Sequence, residues 1–190
     1  MAHSIMTEMT KKILSESLKK LLITKSITKI TVKDVVKISK LSRQTFYYHF
    51  QDIYELLDWT VKTELRELLE NYKSDDWKKT IVDLLNYIQK NKTMFPYIIE
   101  SIGYERFEYI IYPDLYKFCK NVINELVGNA IVVDKYKSFL ANFHTVSLIG
   151  MVLQWTKNGM KDNPEEFVKL LHMTIYETTS NILEKCGDAS

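Results

Sequence analysis

Glycine and proline are scarce in this chain. Its 190 residues include 5 Gly and 3 Pro, too few chain breakers for a sheet with many turns or for a loop-rich fold. Apolar residues make up 46% of the chain and charged residues 26%, as is usual for a globular protein with a packed core. We therefore expect an all-α fold, and the length suits a small domain joined to a medium-sized one.

Cysteine and long apolar runs are scarce as well. Cys119 and Cys186 are far apart in the sequence, a pattern typical of reduced thiols rather than of a disulfide framework or a zinc site. No apolar run approaches the roughly 20 residues that span a bilayer, and the N-terminal segment lacks the apolar core of a signal peptide. These absences predict a cytoplasmic protein that has no membrane contact, no metal and no cofactor.

Enzyme motifs are also lacking. The chain has no glycine-rich phosphate loop, no G-x-S-x-G nucleophile elbow and no H-E-x-x-H zinc motif. His144 and His172 lie in predicted helices, where structural histidines are usual, and the adjacent acids Glu165 and Glu166 are typical of a helix start. An enzyme is therefore not expected.

Positive charge is concentrated in the first quarter of the chain. Residues 1–50 contain nine Lys and one Arg against Glu8, Glu16 and Asp34, a net charge of +7, although the whole chain has a net charge of only +2. Such a segment favours contact with a polyanion, because Lys and Arg release the counterions that are condensed on nucleic acid. A merely solvated lysine-rich face would have the same composition.

Three amphipathic elements follow one another in this basic segment. Apolar residues at helical spacing predict a helix over about 7–24. Thr31 and Asp34 form a capping-box pattern that begins a second, shorter helix. After an interruption at 39–41, Ser42 can cap a third helix in which Phe46 and Phe50 share one face. The order predicts a helix-turn-helix packed on a longer first helix.

The stretch SRQTFYYHF, residues 42–50, has two faces. On a helical wheel Phe46 and Phe50 fall on one side together with Arg43, and Tyr47 lies at the margin. The opposite side consists of residues with amide, hydroxyl and imidazole groups: Gln44, Thr45, Tyr48 and His49. These groups suit base edges and phosphates in a major groove. An ordinary solvated helix face is the alternative.

This order of motifs resembles the tetracycline-repressor (TetR) family of bacterial regulators. The resemblance covers about residues 8–57 and rests on Thr31, the T-F-Y-Y-H-F run and the D-I-Y-E-L-L segment after it. It implies that residues 42–48 form the recognition helix of a homodimer that binds a pseudo-palindromic DNA operator. The DNA contacts that it implies are Thr31 at a phosphate, and Arg43, Gln44, Thr45, Tyr47, Tyr48 and His49; Tyr47 is assigned by the resemblance alone.

The chain departs from the family pattern at two places. Lys40 stands where the family usually has a turn glycine, so a positive φ there would cost about 1 kcal/mol, while the side chain adds a charge near DNA. Gln51 and Ile53 replace lysines that are common after the recognition helix, which implies fewer phosphate contacts and a smaller salt dependence.

Helical patterns continue to the end of the chain. A DNA-binding domain over residues 1–50, a connecting helix over 51–72 and a helical effector or dimerisation domain over 73–190 are expected, with separate helices at about 104–111 and 114–128. The resemblance implies that the last two helices form a four-helix bundle with a second copy. The apolar stripes that we assign to this interface, and that could also complete a monomer core, contain Phe139, Phe143, Val146, Gly150, Leu171, Ile175, Thr178 and Ile182.

Aromatic residues are concentrated in the middle of the chain, at Phe95, Tyr97, Tyr104, Phe107, Tyr112 and Tyr116. They could line an effector pocket, fill a core or form a surface for a partner protein. Trp77 in its D-D-W-K-K context resembles a subgroup that includes activators of dihydroxyacetone kinase operons, which implies an activator that works with a coactivator protein. The alternatives are a repressor released by a small apolar or aromatic ligand, and a helical interaction module without specific DNA binding.

Overall fold

The computed structural model describes residues 2–70, 76–128 and 132–187, with side chains described for 5–69, 76–128, 132–179 and 181. In these ranges the chain forms helices and no strand: α1 (Ala2–Leu22), a 3-10 helix (Ile27–Lys29), α2 (Val32–Ser39), α3 (Arg43–His49), α4 (Ile53–Glu70), α5 (Trp77–Lys90), α6 (Met94–Ile102), α7 (Tyr104–Val127), α8 (Asp134–Lys157) and α9 (Pro164–Gly187). The all-α prediction is confirmed. None of the described helices is both long and apolar enough to cross a membrane.

The prediction of two helices around Pro113 is wrong. A single helix, α7, passes through this proline. Proline has no backbone N–H, so the hydrogen bond to the carbonyl of residue 109 is missing there. Pro113 is exposed, so water can satisfy that carbonyl, while Ile110 and Leu115 on either side of it are buried and hold the helix in place.

Contacts divide the chain into two compact units. The first consists of Met1–Glu64 and Thr93–Ile110, and the second of Leu65–Lys92 and Ile111–Ser190. Residues 93–110 group with the N-terminal helices because α6 packs against α1 and the 3-10 helix. The sequence suggests boundaries at 50 and 72 instead, and these remain predictions about independently folding domains.

The core of the first unit is built on α1. Leu14, Leu18 and Leu22 follow one another at intervals of four residues on one face of α1, and all three are fully buried. Val35 of α2 and Phe46 of α3 are equally inaccessible, and both short helices pack against α1. Each fully buried side chain of this size contributes about 1.5–3 kcal/mol, so the two short helices owe their position to α1.

The second unit is held together by the packing of α5 against α9. The ring of Trp77 on α5 lies 5.8 Å from the ring of His172 on α9. The start of α9 is capped by Asn163, whose side-chain oxygen accepts a hydrogen bond of 3.0 Å from the N–H of Glu166. The start of α9 is therefore fixed by its own sequence, and its position by α5.

The turn between α2 and α3 contains a non-glycine residue in the left-handed region. Lys40 has φ 57° and ψ 24°, a backbone conformation that glycine adopts more easily than lysine. The N–H of Leu41 donates to Ser39 Oγ at 3.3 Å, which satisfies one backbone donor of the turn. The side chain of Lys40 is exposed, so it contributes charge at the surface and a local conformational cost.

We predict that Lys40→Gly raises the free energy of unfolding by about 1 kcal/mol, because glycine adopts positive φ without the Cβ clash. Lys37→Gly is the matched control, since Lys37 is also exposed but lies inside α2, where glycine should lower the free energy of unfolding by about 1 kcal/mol. Equilibrium denaturation of both variants measures the two effects. Destabilisation by both substitutions would contradict the prediction.

Candidate nucleic-acid interface

A reciprocal cap begins the first helix of the helix-turn-helix. The N–H of Asp34 donates to Thr31 Oγ1 at 3.3 Å, and the N–H of Thr31 donates to Asp34 Oδ2 at 2.9 Å. The capping box predicted from these two residues is confirmed. The Thr31 hydroxyl also donates to Asp34 Oδ2, at 2.8 Å, so a bond from this hydroxyl to a DNA phosphate requires it to exchange acceptors.

The Asp34 carboxylate joins this cap to the segment after α1. Its Oδ2 lies 3.3 Å from Lys25 Nζ. The backbone N–H of Thr31, then the hydroxyl of Thr31 and then the charge of Lys25 lower the pKa of Asp34 to about 2. The carboxylate is therefore ionised over the whole physiological range, and Lys25 partly neutralises it beside a surface that is expected to approach phosphates.

The second helix begins with a cap as well. Ser42 Oγ accepts a hydrogen bond of 2.9 Å from the N–H of Thr45, and the two hydroxyls are 2.8 Å apart. Thr45 is half-buried. The hydroxyl of Thr45 thus takes part in the cap, so among the predicted DNA contacts it is less available than its exposed neighbours.

Two phenylalanines set the rotation of α3 about its axis. Phe46 is fully buried and Phe50 nearly so, as the spacing of the two residues predicts. The Phe50 ring packs edge-on against Trp59 of α4, with 6.0 Å between the centroids. Lys11 Nζ of α1 lies 5.8 Å from the centroid of the Trp59 ring. The inward face of α3 is therefore held by both α1 and α4.

The outward face of α3 exposes the polar residues that the sequence indicates. Arg43 and Gln44 are exposed, and Tyr47 and Tyr48 expose 53% and 70% of their surface. Arg43 is accessible although the wheel groups it with Phe46, because it is the first residue of α3. We call Arg43, Gln44, Tyr47 and Tyr48 the recognition face. They present a guanidinium, an amide and two phenol groups side by side, which can bond to base edges and phosphate oxygens.

His49 lies at the edge of α3 that is turned towards α1. It is half-buried, and its ring contacts the Tyr48 ring edge-on at 4.9 Å. Burial lowers its pKa, and the charge of Lys11 lowers it further, while Glu8 opposes the shift. A neutral imidazole in this place supports the position of α3, so a direct DNA contact of His49, which the sequence suggests, has less support than those of the recognition face.

Sequence reasoning missed two groups of residues in this unit. Lys29, Lys33 and Lys37 lie at the surface of the 3-10 helix and of α2, and the concentration of charge in residues 1–50 is the signal that could have identified them. Trp59 was also missed, because its contact with Phe50 joins two helices and no local pattern indicates it.

The residues expected at a dimer interface do not share one environment. Phe139, Phe143, Val146 and Gly150 are exposed on one side of α8, and we call them the α8 face. On α9, by contrast, Leu171 and Ile175 are buried inside the second unit, and the Thr178 hydroxyl lies 3.4 Å from His144 Nε2. The side chain of Ile182 lies outside the described residues.

The exposed apolar side chains of α9 include Leu170, Met173 and Tyr176. They lie on a different side of the helix from Leu171 and Ile175, which pack towards α5. Because α9 has apolar residues on both sides, the sequence does not tell which side is inward. Our assignment of Leu171 and Ile175 to a surface interface therefore needs correction.

The six aromatic residues of the middle segment are divided between the two units. Phe95, Tyr97, Tyr104 and Phe107 belong to the first unit, in which Phe107 is buried and Tyr97 and Tyr104 are exposed. Tyr112 and Tyr116 belong to the second unit, where their rings stack with 5.8 Å between centroids. The Tyr112 hydroxyl donates to Asn142 Oδ1 at 2.6 Å, so this pair is fixed to α8.

A small cavity lies in the second unit. Its lining is mainly apolar, and its volume of about 20 Å³ holds roughly one water molecule. The lining consists of Trp77, Ile81, Phe118, Cys119, Val122, Ile123, His144, Leu148, Leu171 and Ile175, and includes none of the six aromatic residues expected at an effector pocket.

The thiol and the imidazole in the cavity wall are uncharged. Burial raises the pKa of Cys119 to about 11, with a smaller opposing effect from Thr145, so the thiol is protonated and unreactive. Burial also lowers the pKa of His144. Within the described part of the chain, no group of His, Cys, Asp and Glu side chains is arranged to hold a metal ion.

The first unit contains two capped short helices, α2 and α3, which are anchored by Val35 and Phe46 and turn a polar face outward. This arrangement is typical of helix-turn-helix transcriptional regulators. Residues 75–177, more than half of the chain, match the family model of the transcriptional regulator C-terminal region of the TetR type. The chain belongs to this family, and it is a transcriptional regulator rather than an enzyme.

Similar proteins agree with this assignment. The chain is 34% identical over 88 residues to the HTH-type dhaKLM operon transcriptional activator DhaS of Lactococcus lactis subsp. lactis (strain IL1403), and the match spans 45% of this chain and 46% of that relative. It thus covers less than half of the curated relative.

Solved structures share the fold. One is the dihydroxyacetone kinase operon activator DhaS, with a TM-score of 0.75, 23% identity, and coverage of 91% of this chain and 97% of that one. Another is a TetR transcriptional regulator from Streptococcus agalactiae 2603V, with a TM-score of 0.64, 22% identity, and coverage of 92% and 98%.

We predict that the cap on α2 makes stability depend on pH in the acid range. The folded-state pKa of Asp34, about 2, lies below its ordinary value of 3.8, so the stabilisation is complete above about pH 4 and is lost as the pH falls towards about 2. Asp34→Asn should remove this part of the pH dependence. Thermal unfolding of both proteins between about pH 5 and 2 measures it, and parallel curves would contradict the prediction.

Proposed function

We propose that the protein is a sequence-specific DNA-binding regulator that acts as a homodimer and activates a dihydroxyacetone kinase operon together with a coactivator protein. The observation that carries DNA binding is the recognition face of Arg43, Gln44, Tyr47 and Tyr48, which is held outward by buried Phe46. Its site of action would be the cytoplasm, where operator DNA lies.

The chemistry of the recognition face supports a division of roles. An exposed Arg at the N-terminus of a recognition helix can bond bidentately to guanine, and Gln can do the same with adenine. Tyr47 and Tyr48 offer hydroxyls that suit phosphate oxygens. Lys33, Lys37 and Lys40 lie at the surface of the same helix-turn-helix. Their positive charges can attract the phosphates of the DNA backbone.

The homodimer is supported by exposed apolar surface on the two C-terminal helices. Phe139 exposes 63% of its surface on α8, and Leu170 and Met173 are exposed on α9. Large exposed apolar patches usually mark a contact with another protein. Two copies related by a two-fold axis would place two recognition faces on the two halves of a pseudo-palindromic site.

The cavity lined by Trp77 and His144 is too small to serve as the effector site, which supports control by a coactivator protein. Ligand sites usually have volumes of about 300–1,000 Å³, whereas the cavity has about 20 Å³. A repressor that is released by an apolar or aromatic ligand would need a larger space than this cavity offers. The relative named as a dhaKLM operon transcriptional activator supports the positive sign of regulation and the target operon.

The first prediction of this proposal concerns Arg43. Arg43→Ala should weaken binding to a selected operator by about 1–3 kcal/mol and relax specificity at one base pair in each half-site, because a bidentate base contact is lost. Fluorescence anisotropy with operators that differ by single base pairs measures both quantities.

Lys90→Ala serves as the control, because Lys90 is a surface cation on α5 of the second unit and should leave operator affinity unchanged. If Arg43→Ala lowers affinity for every sequence by the same factor, Arg43 contacts phosphate and its assigned role is wrong. If neither wild type nor variant prefers any sequence, the recognition face does not read bases, and the alternative of an interaction module without specific DNA binding gains support.

The second prediction concerns the effector. Cys119→Met extends a side chain of the cavity wall into the available space, at an overpacking cost of about 1–3 kcal/mol. If a coactivator protein controls the regulator, the Cys119→Met variant should induce a reporter gene as strongly as the wild type does. Loss of induction in a variant with wild-type helicity and operator affinity would favour a ligand in the cavity. Circular dichroism and anisotropy provide those two checks.

A further inference from the structure

Within the described part of the chain, neither backbone geometry nor a close contact requires a glycine at position 150. Gly150 lies inside α8 with ordinary helical backbone geometry, whereas Gly103, Gly128 and Gly159 all have positive φ. A Cβ placed on Gly150 would meet no atom of the described residues within 4 Å. Glycine is one of the least favourable residues inside a helix, so a gain from outside the chain would explain why it is present.

Gly150 belongs to a stretch of α8 that has no charged residue of its own. Residues 138–156 contain no Lys, Arg, Asp or Glu, although Phe139, Phe143 and Val146 of this stretch are exposed. The intervals of four, three and four residues between Phe139 and Gly150 follow the pattern of a helix that packs along a second helix. An exposed apolar helix face without charged residues of its own fits another apolar face, and a second copy supplies an identical one.

We propose that Phe143 of one copy packs into the notch at Gly150 of the other, with the two-fold axis beside Val146. This inference rests on the homodimer of the proposed function and adds the contact that sets its register. Phe143 supplies the exposed ring, and Gly150 supplies the space that a missing Cβ leaves open.

The spacing of the two residues makes this contact self-complementary. In two antiparallel helices related by a two-fold axis, residues at equal distances on either side of the axis face each other. Phe143 and Gly150 are seven residues apart, or about 10.5 Å along the helix, and their midpoint falls between Val146 and Ser147. The same contact therefore occurs twice in one dimer, and Val146 of each copy lies next to the axis.

The experiment uses the full chain and a double-mutant cycle. Gly150→Leu fills the notch, Phe143→Ala removes the ring, and a third protein carries both substitutions. Met151→Leu is the control, since Met151 is exposed beside Gly150 but off the α8 face. Sedimentation equilibrium gives the dimer dissociation constant, and circular dichroism confirms that each protein is helical.

We expect Gly150→Leu and Phe143→Ala each to raise the dimer dissociation constant roughly tenfold or more, from overpacking and from a lost contact respectively. The double variant should dimerise more tightly than Gly150→Leu alone, because the introduced leucine side chain then occupies the space of the missing ring. Met151→Leu should match the wild type.

Each other result overturns a specific statement. A double variant no tighter than Gly150→Leu would show that Phe143 does not occupy the notch. A Gly150→Leu protein that dimerises like the wild type would place Gly150 outside the interface and leave the homodimer intact. A wild-type protein that is monomeric at micromolar concentration would contradict the homodimer of the proposed function itself.

Discussion

The burial of Phe46 is the constraint on which the DNA-binding surface depends. A helix of seven residues such as α3 has too few hydrogen bonds to be stable alone, so its position comes from packing. With Phe46 fully buried and Phe50 held against Trp59, only one rotation of α3 is possible, and it turns the recognition face outward. The caps at Thr31 and Ser42 then fix where α2 and α3 begin.

The sequence could predict the parts of the fold that depend on neighbours within one or two turns. The Thr31–Asp34 cap and the shared face of Phe46 and Phe50 involve residues three or four positions apart, so a local pattern is sufficient to find them. Lys40 keeps the left-handed turn because the contacts of α2 and α3 with α1 outweigh a local cost of about 1 kcal/mol.

Features that depend on distant contacts were not predictable. Pro113 lies inside α7 because buried residues on both sides of it hold the helix, and no local rule anticipates that. The same limit applies to α9, where Leu171 and Leu170 are equally apolar and only the packing of α5 decides which is buried. The small size of the cavity in the second unit also depends on packing alone.

Footprinting on fragmented host DNA at low and at physiological salt tests the central claim, that α3 reads a sequence as part of a symmetric dimer. The account predicts a protected two-fold site upstream of a promoter, whose half-sites are centred about one helical turn or a multiple of it apart, and protection that persists at physiological salt. Protection without sequence preference that disappears as salt rises would show that the basic first quarter binds DNA only as a polyanion, and would contradict the account.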